Sequence, residues 1–204
     1  MMIGMMTTVL GLGLALFISL EAYSQGGLFG WHPFLMSVGA LGLPTAGIQA
    51  VRSRQAVGGM GPKTQRVQLH SALSNVALAS MLGGLYAIYT NKDRMGKNHW
   101  TSWHSWAGVL ALALWVGNVA LAGANTADLE KRRLVFLWKS RNHRWAGKAA
   151  FCAGLGAVVL GLHSGWGLRS LGGERGAWAL TAGVLGVFVG IVASGGEAQA
   201  PKKA

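Results

Sequence analysis

Charge is scarce in this chain. Only 12% of its 204 residues are Asp, Glu, Lys or Arg, about half of the roughly 25% found in soluble domains. Acidic residues are scarcer still, six against 18 Lys plus Arg. A lone cysteine, Cys152, excludes a disulfide framework. What the chain has instead is apolar: 51% of its residues are hydrophobic, which excludes disorder and most soluble enzymes. Its 32 glycines carry no Gly-X-Y period, so collagen is excluded as well. Glycine in an apolar background suits close helix contacts inside a membrane.

The apolar residues fall into six runs, near 3–23, 28–51, 67–89, 104–123, 143–165 and 177–194. A helix crosses a ~30 Å hydrocarbon layer with about 20 apolar residues, and all six qualify. The expectation is an all-α, polytopic membrane protein in one domain covering residues 1–204, with spans two to five as a four-helix core. The first run lacks a basic start and is too long for a signal-peptide core, so it reads as a span. The stretches Gly58–Gly61 and Ala124–Asp128 read as loops, and Cys152 as a buried packing residue in mid-span.

The basic residues sort by side. Arg52, Arg54, Lys63 and Arg66 follow span two; Lys131, Arg132, Arg133, Lys139, Arg141, Arg144 and Lys148 follow span four; Lys202 and Lys203 end the chain. Only Lys92, Arg94, Lys97, Arg169 and Arg175 lie on the other side. The positive-inside rule puts the richer side, with both termini, in the cytoplasm or its equivalent. Tyr23, Trp31, Tyr89, Trp100, Trp103, Trp106 and Trp166 form an aromatic belt at the outer boundary. The net charge of +12 is therefore a topology signal and not a nucleic-acid-binding face.

Ionisable residues at membrane depth suggest function. His32, His70, His104 and His143 stand near the starts of spans two to five. Since spans alternate in direction, His32 and His104 share the outer end, and His70 and His143 the inner end. Taken singly, each is a common headgroup contact. Four at consecutive span starts, two of them inside a repeated His-x-Trp-Ala-Gly (His104–Gly108, His143–Gly147), ask for another reason. Gly108 and Gly147 lie one turn beyond their histidines and leave room beside each ring; Gly39, Gly42, Gly83 and Gly84 are expected to widen the same interior. Two imidazoles are too few for zinc. They suit the two axial positions of a haem iron, which closes the iron to oxygen and leaves electron transfer. His99 reads as a loop residue, and His163 as one facing the membrane interface.

The segments Trp31-His32-Pro33-Phe34-Leu35-Met36-Ser37, His70, Trp103-His104-Ser105-Trp106-Ala107-Gly108 and His143 with Gly147 resemble the cytochrome b561 family. The spacings of 38, 34 and 39 residues between the histidines are similar too. Met95-Gly96-Lys97-Asn98-His99 resembles the branch of cytochrome b561 domain-containing proteins. The resemblance implies two haems b, ligated by His32 with His104 and by His70 with His143. It also implies electrons passing from cytoplasmic ascorbate to monodehydroascorbate or ferric iron across the bilayer, usually in a homodimer.

In that frame Lys63, Arg66, Lys139 and Arg141 are candidates for donor or propionate contacts at the inner end. Arg94, Lys97 and His99 are the outer counterparts. Two other readings remain at this stage. One is a haem-bearing structural or accessory subunit of a larger membrane complex; the other is a metal or proton transporter with a histidine relay.

Overall fold

Long apolar segments must satisfy their own backbone groups in lipid, and a helix does so within one segment. The computed structural model describes residues 2–127 and 140–197. Among these there is no strand, and six helices are long and apolar enough to cross a membrane. Asp128, Lys131, Arg132, Arg133, Lys139, Lys202 and Lys203 lie outside the described residues.

Helix α1 runs Met2–Ser24. The second crossing is composite: α2 (Gly27–Ser37), a π-helical turn (Val38–Gly42) and α3 (Leu43–Ser53). Pro44 brings no N–H to the ladder, and the turn just before it widens, with the Leu43 N–H donating to the Val38 carbonyl five residues back. Helix α4 spans Met60–Arg94, α5 Trp103–Ala127 and α6 Arg141–Leu162. A short α7 (Gly165–Ser170) leads into α8 (Gly173–Glu197).

Several boundaries differ from expectation. Helix α4 starts seven residues before the apolar run, so Lys63 and Arg66 stand on its first turns and not in a loop. Polar residues with good helix propensity extend it beyond what hydropathy marks. Residues 124–127 prolong α5, and Gly165 opens α7. Cys152 is exposed on the outside of the bundle, not packed within it.

The α2–α3 crossing packs along α4, and α5 along α6, giving two hairpins; α4 and α5 touch far less. Helices α1 and α8 pack together beside this core. Ala15, Ile18, Leu41, Phe151, Leu155, Val184 and Val187 bury the seam toward α1 and α8. At the end bearing His70 and His143, Arg52 Nη1 donates to the Ile191 carbonyl and to Ser194 Oγ, and Gln49 Nε2 donates to the same hydroxyl at 2.9 Å. A second cluster, Ala40, Ala77, Met81, Trp115 and Ala150, fills the middle of the four-crossing core. There Gly39 is indispensable to the approach of α4: a Cβ on it would lie 2.7 Å from the Ala77 carbonyl oxygen. Gly42, Gly83 and Gly84 likewise meet Ala15, Leu35 and Met36. These glycines close helices together; they do not widen the interior.

Candidate functional site

Each of the four core histidines is half-buried near a hairpin end. Three are tied within their own hairpin through Nδ1: His32 to the Gly84 carbonyl at 3.0 Å, His70 to that of Gly47 at 3.0 Å, and His104 to that of Ala157 at 2.9 Å. A carbonyl only accepts, so in each bond Nδ1–H donates, and Nε2 is left with its lone pair. That is the tautomer a metal-binding imidazole needs, with the orienting acceptor in place.

Across the gap between hairpins the rings face each other in twos. His32 and His104 have ring centroids 5.9 Å apart, with planes at 82°. His70 and His143 are at 6.3 Å and 82°. Two imidazoles on opposite sides of one metal, each nitrogen ~2 Å from it, put their ring centres roughly 6 Å apart. Both separations fit a single six-coordinate iron. Among the described residues no cluster of three or more His, Cys, Asp or Glu side chains is available for an ion that wants more protein ligands. The arrangement fits haem and does not fit zinc.

The glycines beside the rings differ. A Cβ on Gly108 would meet nothing within 4 Å, so the slot expected there is open. At Gly147 it would lie 3.0 Å from Asn118 Nδ2, so an amide and not open space stands at that glycine. Gly161, unremarked in the sequence, lies beside His104: its Cβ would sit 3.1 Å from ring Cε1.

At the end bearing His70 and His143, Lys63 is half-buried, and Arg66 and Arg141 are exposed. Lys139 lies outside the described residues. Arg54 and Arg144, not singled out from sequence, interact electrostatically across the two hairpins, and Arg54 also with His70. Their only sequence signal was nearness to the inner histidines.

At the end bearing His32 and His104, Lys97 and Arg94 are exposed. His99 is a loop residue, as expected, but it is engaged: Nε2 lies 2.8 Å from Asp93 Oδ1, and the ring stacks on Tyr89 with centroids 4.0 Å apart. Lys92, overlooked from sequence, is within electrostatic range of both His32 and His104, and its Nζ donates to the Asn98 carbonyl at 3.1 Å. A recess of about 420 Å³ lined by Thr101, Ser102, Trp103 and Trp106 adjoins this loop. His163 bonds Thr181 Oγ1 at 3.0 Å and meets the Trp178 ring edge-on.

Six membrane-crossing helices with imidazole pairs facing across two hairpins make up the frame of a membrane cytochrome of the b type. The profile of eukaryotic cytochrome b561 matches residues 31–167. The chain belongs to the cytochrome b561 family, whose cofactor is haem b. It is 28% identical to the transmembrane reductase CYB561D2 of Bos taurus over 176 residues, covering 84% of this chain and 77% of that protein. It is 26% identical to the probable transmembrane reductase CYB561D1 of Mus musculus over 182 residues, 89% of this chain and 78% of that one. A shorter match, 33% over 87 residues, joins 43% of the chain to 33% of the lysosomal membrane ascorbate-dependent ferrireductase CYB561A3 of Rattus norvegicus.

Proposed function

We propose that this protein is a transmembrane reductase holding two haems b, one between His32 and His104 and the other between His70 and His143. The observation that carries the reading is the pair of 5.9 and 6.3 Å imidazole separations across the hairpin gap. Haem held by these histidines would supply a one-electron carrier. The chain contributes the rest. Gly47, Gly84 and Ala157 hold three ligand rings by their carbonyls, and the Trp115 cluster keeps water out of the level between the two pairs.

The end bearing His70 and His143 faces the cytoplasm or its equivalent, with both termini there. Lys63, Arg66, Arg141, Arg54 and Arg144 concentrate an anionic donor at that end, and ascorbate is such a donor, giving up one electron and one proton to become monodehydroascorbate. The Rattus norvegicus relative is likewise an ascorbate-dependent ferrireductase. At the far end, which carries Lys92, Lys97 and His99, monodehydroascorbate or ferric iron accepts the electron.

Protein purified from haem-replete cells should carry two haems per chain and give a b-type reduced spectrum with ascorbate as the only donor. Colourless protein overturns the reading. Haem-bearing protein inert to ascorbate and recovered with stoichiometric partners would make it an accessory subunit instead.

A further inference from the structure

Each crossing of the four-helix core carries a histidine near one end and, toward the other, the main-chain group that meets the histidine of its hairpin partner. His70 shares α4 with Gly84, whose carbonyl holds His32. His104 shares α5 with Asn118, whose main chain faces the His143 ring. His143 shares α6 with Ala157, whose carbonyl holds His104. On these three helices the main-chain partner stands 14 residues after the histidine. The α2–α3 crossing departs by one: Gly47, which holds His70, stands 15 residues after His32.

One residue matters because an α-helix turns ~100° with each. Fourteen residues make about four turns less roughly 40°, over ~21 Å of rise, so a ring and a carbonyl at that spacing face the same neighbour. A fifteenth in an unbroken α-helix would carry Gly47 about 100° further round, off the face that meets α4. The α2–α3 crossing is also the place of the π turn, Val38–Gly42, with no other among the described residues. A π turn bonds across five residues instead of four and so takes in one more; here the Leu43 N–H reaches the Val38 carbonyl. The turn lies between His32 and Gly47, and its Gly39 and Gly42 press against α4 and α1.

We infer that the π turn is a register device: it absorbs the one residue by which the α2–α3 crossing exceeds the other three, and so keeps His32 and Gly47 in phase against α4. Both imidazole pairs depend on that phase, because His32 belongs to one pair and Gly47 orients a member of the other. Pro44 favours this place for the extra residue. It has no N–H, so the Ala40 carbonyl four residues back has no α-helical donor to lose when the ladder widens. The register follows from the hydrogen bonds; its effect on ligation rests on the haem assignment above.

The test removes one residue at a time. Five variants of the full chain each lack one residue of Val38–Gly42, and a sixth lacks Ala79, which is exposed on α4 between His70 and Gly84. Pyridine haemochromogen analysis counts haem per chain, and low-temperature EPR reads the two sites. At least one deletion within the π turn should keep two haems and both wild-type signals, because the segment then closes as α-helix with Gly47 at the spacing of the other three. Deletion of Ala79 should halve the haem per chain or remove it. Haem loss in all five turn variants overturns the inference, and so does a full complement in the Ala79 variant. Haem-free wild type would instead sink the function proposed above, and thermal unfolding in detergent then judges the register. The best turn deletion should melt within a few degrees of wild type and the Ala79 deletion well below it; equal melting overturns the inference.

Discussion

His104 and Gly161 stand so close that a methyl group on the glycine would lie 3.1 Å from Cε1 and 3.3 Å from Nδ1 of the imidazole. The ring is thus wedged between a carbonyl that orients it, from Ala157, and a bare backbone one turn further on. Gly161→Val should push the ring off its axis and remove one haem of two. Pyridine haemochromogen analysis should then fall to half the wild-type haem per chain, with the inner-pair EPR signal intact.

The pairing itself has a genetic signature. His32→Ala and His104→Ala should each abolish the same EPR signal, and His70→Ala and His143→Ala the other. If His32→Ala and His70→Ala removed one common signal, the hairpin plan would be wrong.

Two glycine replacements should differ in sign. Gly39→Ala places a Cβ 2.7 Å from the Ala77 oxygen and 2.8 Å from Met81 Cγ. Backbone cannot yield as a side chain does, so the cost should be about 1–3 kcal/mol. Gly13 on α1 has nothing within 4 Å of the same position, and Gly13→Ala should gain roughly 0.5–1 kcal/mol from helix propensity. Thermal unfolding in detergent, followed by haem absorbance, measures both.

Charge at the inner end should act through ionic strength. Replacing Lys63 and Arg66 together by Gln should raise the half-saturating ascorbate concentration several-fold and leave the maximal rate nearly unchanged. Wild-type turnover at low ascorbate should fall as salt rises, because the screening length shrinks to about 10 Å at 0.1 M. The double variant should depend on salt less steeply, with Arg54, Arg141 and Arg144 still in place.

Much of this architecture is legible in the sequence because lipid imposes a simple rule on length and polarity. Six apolar runs become six crossings, and alternation of direction alone brings His32 to the level of His104 and His70 to that of His143. What escapes is set by side-chain and backbone detail that hydropathy does not register. The π turn before Pro44 and the polar start of α4 are hydrogen-bonding outcomes. Lys92 is covalently near His99, yet its field falls on His32 and His104, a relation visible only once α4 is folded. Asn118 carries no motif, and reads as an ordinary polar residue in an apolar helix until its amide is seen against Gly147.

The sparse contact between the two hairpins bears on biogenesis. The rings of His32, His70 and His104 are each matched to a carbonyl of their own hairpin, so each hairpin can be inserted largely as a self-contained unit. Haem held as proposed would then arrive last, between two prefabricated halves, as the rivet that fastens them. Maturation of this protein should accordingly be limited by porphyrin supply and not by the threading of its helices.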